Sequence, residues 1–225
     1  MCGRFALGTP IENILDELKG EMLSDVVPFT PSWNVAPSTL LPIITSAGTT
    51  PTDKCGWNVH SMRWGFRPSW SSGAGREPIN ARSESMHEKP MFRDAAASRW
   101  GVVPADGWYE WMTTPQGKVP WFHRRTDDAV LFLAVLWDES ATEGPMAKSC
   151  ALLTQASNED CQPVHHRMPV VVEPHSLQSW LNEGQLPPPL TTGTIRCHPV
   201  SRRVNRVEED HPGLVEPLVT LFDHE

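Results

Sequence analysis

The spacing of apolar residues changes along the chain, and each spacing predicts a type of secondary structure. Apolar side chains at positions 11, 14, 15 and 18 have the period of one helix face, with Thr9 as N-cap and Pro10 in the first turn. Continuous or alternating apolar runs predict strands at 40–45, 57–66, 101–104, 108–112, 119–124, 130–137, 150–154, 169–172 and 195–204.

Turn-forming residues divide these segments. We expect a turn at 48–53, a flexible loop at 68–75, a hairpin turn at 115–118, and short helices at 83–89, 92–100 and 175–182. Many strands, few short helices and no βαβ rhythm predict an α+β fold, mainly antiparallel and barrel-like. We expect one domain over residues 1–225, with an acidic and partly mobile segment from about 208 onward.

Composition excludes several functional classes. The net charge is −8, which argues against broad nonspecific binding to duplex DNA but leaves room for a local basic cleft. No apolar run is long enough to span a membrane, and no signal peptide follows the start. Five cysteines without regular spacing predict free thiols in a reducing cytoplasm. The histidines and cysteines form no credible zinc set, so we expect no metal and no cofactor.

Ten tryptophans stand against one tyrosine. Trp64, Trp70, Trp108 and Trp111 lie beside glycine, proline and charged residues. Exposed indoles in such a setting stack the bases of single-stranded nucleic acid. Aromatic packing around turns explains any one of them equally well.

Cys2 follows the initiator methionine directly. A small second residue allows an aminopeptidase to remove Met1, which leaves a free α-amine and a thiol that titrate at about pH 8 and 8.5. A 1,2-aminothiol condenses with an aldehyde to an imine, and the thiol then closes a thiazolidine ring. Cys2 therefore indicates an aldehyde target or acyl transfer by an N-terminal nucleophile, although a small residue at an arbitrary start is equally consistent with it.

Two further segments carry acid–base candidates. Glu110 lies among aromatic residues, where it is either a surface carboxylate or a buried carboxyl with a raised pKa. The residues alone favour the surface position. His165 is either a catalytic imidazole or a core histidine.

An ordered set of motifs covers nearly the whole chain. It comprises Met-Cys-Gly-Arg-Phe at 1–5, Asn-Val-Ala-Pro at 34–37, Trp-Gly-Phe at 64–66, Asn-Ala-Arg-Ser-Glu at 80–84, Ala-Asp-Gly-Trp-Tyr-Glu-Trp at 105–111, His-His-Arg-Met-Pro at 165–169 and His-Pro-Val-Ser at 198–201. In this order the motifs resemble the SRAP family (SOS-response-associated peptidase; abasic-site-processing proteins).

The resemblance implies a β-rich domain that crosslinks to abasic sites in single-stranded DNA through its mature N-terminal cysteine and protects the damaged DNA. It also implies a monomer, associated with the nucleoid in a prokaryote. Cys2 would be the nucleophile, and Asn34 would position the opened deoxyribose. Glu110 would be the general acid and base for ring opening and imine chemistry. His165 would protonate or hold the sugar oxygen.

The resemblance also implies the DNA contacts. Arg4, Arg82 and Arg167 would hold phosphates, and Asn80 would line the pocket. Trp70, in the loop at 64–75, would be an aromatic wedge that unstacks DNA. Some members carry two adjacent tryptophans, whereas serines flank Trp70 here.

Three other functions use the same residues. An N-terminal-nucleophile amidohydrolase also begins Met-Cys-Gly, but Arg4 replaces its usual aliphatic residue. A peptidase, including one that removes its own Met1, would use the same Cys2. A non-catalytic DNA-binding module would bind without forming a covalent product.

Overall fold

A computed structural model describes residues 2–18, 21–22, 28–47, 56–71, 75, 77–140 and 147–218. The strands are β1 Arg4–Leu7, β2 Glu21–Met22, β3 Ser32–Val35, β4 Leu40–Ser46, β5 Trp57–Trp64, β6 Asn80–Arg82, β7 Trp100–Ala105, β8 Gly107–Thr114, β9 Gly117–Arg125, β10 Leu131–Glu139, β11 Lys148–Ala156, β12 Arg167–Pro169 and β13 Ile195–Pro199. The α-helices are α1 Ile11–Leu18, α2 Arg93–Ala96 and α3 Leu177–Glu183. Short 3-10 helices lie at Ser83–Ser85, Pro174–Ser176, Arg202–Asn205 and Pro212–Leu214.

The described strands form two sheets, mostly antiparallel. One has five strands in the order β13-β9-β8-β1-β3, and the other has eight, with β12-β11-β10-β7-β4-β5-β2 as its main path and β6 beside β11. A parallel pairing of β11 with β5 joins two distant strands of the larger sheet. This confirms the predicted α+β, mainly antiparallel class, and limits the barrel-like character to a ring of β11, β10, β7, β4 and β5.

A continuous apolar core joins the two sheets. Phe5 of β1 packs on Trp64 of β5 with ring centroids 5.3 Å apart, and Trp108 of β8 is buried in the same cluster. A second, smaller cluster on the five-stranded sheet contains Tyr109 and Phe122. Because side chains alternate across a strand, Trp108 and Glu110 share the face of β8 that meets the main core, and Tyr109 takes the other face.

Several predicted elements are shorter than their apolar pattern. The helix expected at 92–100 ends at Ala96, because Trp100 already pairs with Leu136 as the first residue of β7. The segment 83–89 holds only a 3-10 turn at Ser83–Ser85 followed by turns. The last strand ends at Pro199 rather than at 204, and Ser201 then accepts a hydrogen bond from the Arg203 amide to cap a 3-10 helix.

The corner between β1 and α1 is held by a carboxylate instead of the predicted cap. Asp106 accepts hydrogen bonds from the amide of Gly8 at 2.6 Å, the amide of Thr9 at 3.2 Å and the hydroxyl of Thr9 at 2.6 Å. The Thr9 hydroxyl is therefore a donor to Asp106 and does not cap the helix. Asp106 also separates β7 from β8, so one residue fixes both corners.

The segment from 208 onward is packed where it is described. Leu214 is fully buried, the carboxylate of Asp210 accepts a hydrogen bond from the Trp33 amide at 2.6 Å, and the Leu218 amide donates to Pro199 at 3.0 Å. Residues 219–225 and the predicted turn at 48–53 lie outside the described residues.

Within the described chain, no helix has the length and apolar character needed to cross a bilayer. Cys2, Cys150, Cys161 and Cys197 are free thiols, as predicted, and Cys55 lies outside the described residues.

Gly107 allows β8 to lie close against β9. A Cβ at this position would overlap the carbonyl oxygen of His123 and would lie 2.5 Å from the Phe122 ring. We expect Gly107→Ala to destabilise the fold by about 1–3 kcal/mol, the usual cost of overpacking, measured by chemical denaturation. Gly213→Ala is the matched control, because its Cβ would meet only the His211 ring at 3.1 Å in an exposed turn. Equal stability of the two variants would contradict this packing.

Candidate active site

Cys2 lies two residues before β1, in the interior of the protein. Its side chain is 0% exposed, its thiol lies 3.7 Å from the Arg4 carbonyl oxygen, and the side-chain amide of Asn80 donates to the Cys2 carbonyl at 2.9 Å. Burial raises the pKa of the Cys2 thiol far above its usual range, and the nearby Glu110 carboxylate adds to the increase. The thiol is therefore protonated at neutral pH and needs a base to react as a thiolate.

Glu110 is a buried carboxyl, and the surface position favoured by the residues alone is wrong. Only 3% of it is exposed, and it pairs across the sheet with Trp121 of β9. Burial raises the pKa of Glu110 above its ordinary value. A carboxyl with a raised pKa can give and take protons near neutral pH, which suits general acid and base catalysis.

His165 faces Glu110 from the loop before β12. Its Nδ1 lies 4.0 Å from Oε1 of Glu110. The same nitrogen lies 3.0 Å from the amide nitrogen of Arg167 and 3.1 Å from its carbonyl oxygen. Burial lowers the pKa of His165, so the imidazole is mainly neutral at pH 7.

Asn80 completes the group around Cys2. The strand β6 runs parallel to β11 with Asn80 opposite Leu152, and this pairing points the side-chain amide to the Cys2 carbonyl. Oδ1 of Asn80 is buried and has no hydrogen-bond partner among the described residues. It is an acceptor available to a ligand bound beside Cys2.

Asn34, a predicted catalytic residue, is engaged elsewhere. Its Oδ1 accepts from Arg4 at 2.7 Å, and its Nδ2 lies 3.3 Å, 2.9 Å and 2.7 Å from the carbonyl oxygens of Val204, Arg206 and Glu209. With both polar atoms occupied and 4% exposure, Asn34 fastens the segment after β13 to β3. To hold a sugar it would have to release these bonds.

The three predicted phosphate ligands differ in availability. Arg4 donates to Asn34 at 2.7 Å and to the Val204 carbonyl at 2.9 Å, and burial lowers its pKa. Arg167 is paired with Glu84 at 2.5 Å. Arg82 is exposed on β6, two residues from Asn80.

Of the four singled-out tryptophans, Trp70 alone has a largely exposed indole. Its exposed fraction is 62%, whereas Trp64 and Trp108 are fully buried. Trp108 stacks on His123 with ring centroids 4.9 Å apart, and Trp111 donates to the side chain of Asn205 at 2.9 Å. Core packing therefore explains Trp64 and Trp108, and Trp70 keeps the role of a stacking residue as a prediction.

Two further residues near the site, Glu84 and His123, have no role predicted from the sequence. Glu84 was visible as the last residue of the Asn-Ala-Arg-Ser-Glu motif, but its pairing with Arg167 depends on the fold. His123 is buried beside Trp108, and burial lowers its pKa to about 4. No local sequence signal distinguishes His123 from a surface histidine in a strand whose residues alternate between apolar and polar.

Fold and site together bring a buried carboxyl and an imidazole close to a buried cysteine that lies just before the first strand. The family model described as SOS response associated peptidase (SRAP) matches residues 1–207. The chain belongs to this family.

Relatives match over almost their full length. The abasic site processing protein YoqW of Bacillus subtilis is 31% identical, with 96% of this chain and 99% of the relative covered. The abasic site processing protein YedK of Escherichia coli is 27% identical, with 97% of this chain and 100% of the relative covered.

A solved structure has the same fold. The crystal structure of a protein from Bacteroides thetaiotaomicron superposes with a TM-score of 0.79 at 19% identity, covering 97% of this chain and 100% of the other.

The buried Glu110 carboxyl predicts a pH-dependent stability difference. Its pKa in the folded protein is above its ordinary value of 4.5, so the folded state retains a proton that the unfolded state has released. Stability is therefore lost as pH rises from about 4.5 through the folded pKa, and the penalty remains above it. Glu110→Gln cannot ionise, and we expect it to melt at a higher temperature than the unaltered protein at pH 8.

Thermal unfolding between about pH 4.5 and pH 8.5 measures this difference, which should shrink toward the acidic end. Glu88→Gln, an exposed change of the same charge, is the control. A Glu110→Gln melting temperature equal to that of the unaltered protein at every pH would show that the carboxyl carries no desolvation penalty.

Proposed function

We propose that this protein binds abasic sites in single-stranded DNA and forms a covalent crosslink to them through Cys2 after Met1 has been removed. The observation that carries the proposal is the burial of Cys2 beside Glu110 and Asn80, with the His165 ring 4.0 Å from the Glu110 carboxyl. Membership of the SRAP family and the names of the relatives support an abasic-site substrate.

The proposed chemistry uses both nucleophiles of Cys2. The α-amine adds to the aldehyde of the ring-opened deoxyribose, and loss of one water gives an imine. The thiol sulfur then adds to the imine carbon, and the thiol proton passes to the imine nitrogen. The product is a thiazolidine with one new C–N bond and one new C–S bond, and no oxidant or reductant is needed.

Glu110 and His165 would move the protons. Glu110 in its acid form can protonate the leaving hydroxyl of the carbinolamine, and as a carboxylate it can then take the proton of the thiol, whose own pKa is raised. His165, mainly neutral, would take or return the proton of the sugar hydroxyl during ring opening. Such groups typically contribute about 10²–10⁴-fold each.

We assign the positioning of the opened sugar to Asn80 instead of Asn34. Asn80 has an unpartnered acceptor among the described residues and touches Cys2, whereas Asn34 is bonded to four other groups. Arg82 is the best-placed phosphate ligand, and Trp70 is the exposed ring for stacking.

Removal of its own Met1 is a second candidate activity. It is favoured by the placement of a carboxyl, Glu110, next to Cys2 and by the word peptidase in the family description. If the protein removes Met1 itself, Glu110→Gln protein should retain Met1 in intact-mass spectra when unaltered protein has lost it.

The covalent step predicts a heat-stable adduct on denaturing gels with single-stranded DNA whose uracil has been excised by uracil glycosylase. Cys2→Ala should give no adduct, because both the imine and the ring closure depend on that residue. Cys150→Ala is the matched control, since Cys150 is also a fully buried thiol and should leave the adduct unchanged. Loss of the adduct in Cys150→Ala with retention in Cys2→Ala would refute the mechanism.

Because Arg82 is exposed and Arg4 is bonded within the protein, we expect the two arginines to contribute differently to the salt dependence of DNA binding. On a Cys2→Ala background, Arg82→Ala should flatten the slope of log affinity against log salt by about 0.7, the value per phosphate of a single strand. Arg4→Ala should leave the slope nearly unchanged, because Arg4 is bonded within the protein. Arg93→Ala, with an exposed side chain on α2, controls for net charge. If all three changes flatten the slope equally, the salt dependence reflects the net charge of the protein and not a specific contact between Arg82 and a phosphate.

A further inference from the structure

Glu84 and Arg167 form a charged bracket at the end of β11. Arg167 Nη1 donates to Oε1 of Glu84 at 2.5 Å, and Nη2 donates to Oε2 at 2.9 Å. Nη2 also donates to the Thr154 carbonyl at 2.6 Å. The Arg167 side chain is 11% exposed and the Glu84 side chain 52%, so the pair is covered by protein on the Arg167 side and open to solvent on the Glu84 side. A planar fork held by two carboxylate oxygens and a backbone carbonyl has one orientation.

The bracket joins two segments that carry site residues. Thr154 of β11 pairs with Arg82 of β6 and with Pro169 of β12, so these two strands lie on opposite edges of β11. Glu84 follows β6, which bears Asn80, and Arg167 begins β12, directly after the loop that bears His165. The ion pair therefore spans the end of β11 and fixes the distance between the Asn80 and His165 segments.

The backbone of Arg167 serves both protonation states of His165. A neutral ring can accept from the Arg167 amide at Nδ1, over 3.0 Å, and a protonated ring can donate from Nδ1 to the Arg167 carbonyl, over 3.1 Å. One peptide position thus holds the imidazole in place whether or not it carries the extra proton. Displacement of Arg167 would release the ring in both states.

We propose that Glu84 is a positioning residue for the reaction proposed above, acting by holding Arg167 so that its backbone keeps the His165 ring facing Glu110. The inference rests on the proposed function for its kinetic consequence, but the orientation of His165 can be measured without DNA. Glu84 itself does not touch the reacting atoms.

The bracket stays ionised over the working pH range. The hydrogen bonds that the Glu84 carboxylate accepts from Arg167 lower the pKa of Glu84 to about 2. The contribution of the ion pair to the stability of the fold is therefore complete above about pH 4.5 and is lost only as the pH falls toward 2.

A titration seen at higher pH belongs to His165 and its surroundings. The charged and titratable groups that face His165 are Glu110 on β8, Lys118 and His123 on β9, and the adjacent His166 and Arg167.

The test is the rate of adduct formation and its dependence on His165. Glu84→Gln keeps the size of the side chain but removes its charge, and we expect a rate lowered on the order of 10-fold, as a small misplacement of an acid–base group produces. Combined with His165→Ala, Glu84→Gln should cause no further loss, because its effect passes through His165. Glu88→Gln, exposed and four residues on, changes the net charge equally and should react at the unaltered rate.

A second readout is the titration of the His165 ring by NMR without DNA. Burial lowers the pKa of His165 in the intact site, and a released ring in Glu84→Gln should titrate at higher pH. Glu84→Asp retains the charge but shortens the reach by one methylene, and should shift the rate and the titration in the same direction by a smaller amount. The Glu84→Asp variant can be measured in its place if Glu84→Gln folds poorly.

Three results would overturn the inference: an unchanged His165 titration in Glu84→Gln, an unchanged adduct rate, or an equal further loss on the His165→Ala background. Tighter DNA binding by Glu84→Gln with a steeper salt slope would also overturn it, because Glu84 would then be masking a phosphate ligand. If the unaltered protein forms no adduct, the proposed function fails, and the ring titration still decides the role of Glu84.

Discussion

The pairing of β1 with β8 brings Cys2 and Glu110 together in the interior of the protein. Arg4 pairs with Tyr109 and Phe5 with Trp108, which draws the residues just before β1 into the main core. Cys2 is thereby buried beside Glu110, the next residue on the core-facing side of β8. The close approach of β8 to β9 at Gly107 and the corner held by Asp106 set the position of this strand pair.

The interior of the site favours neutral groups. Burial raises the pKa of the Cys2 thiol and of the Glu110 carboxyl, and it lowers the pKa of His165 and of the deeper His123. A centre made of an acid, a thiol and a neutral imidazole can relay protons without burying an ion pair, which would cost desolvation energy. The strongly charged groups lie at its edge, where Arg82 is exposed and Glu84 holds Arg167.

The sequence predicted most of the fold and supplied candidate residues for the site. Long apolar runs such as 130–137 and the helical spacing at 11–18 are local signals, and both elements were found where expected. Where predicted elements were too long, as at 92–100 and 195–204, tertiary pairing or a proline ended them. Motif resemblance selected Cys2, Glu110 and His165, but it could not rank Asn34 against Asn80. Their hydrogen-bond partners are set by segments 170 and 78 positions away in the chain.

If Cys2 supplies both the nitrogen and the sulfur that bond to the sugar, the adduct must lie at the N-terminus of the mature chain, and its position can be measured. Adduct formed with abasic single-stranded DNA would be treated with borohydride, digested with nuclease and trypsin, and sequenced by tandem mass spectrometry. We expect the sugar remnant on the peptide Cys2-Gly3-Arg4, attached with loss of one water and unchanged by the reductant, as a closed thiazolidine requires. A remnant on an internal lysine or cysteine, or a product that gains two hydrogens on reduction, would contradict the account.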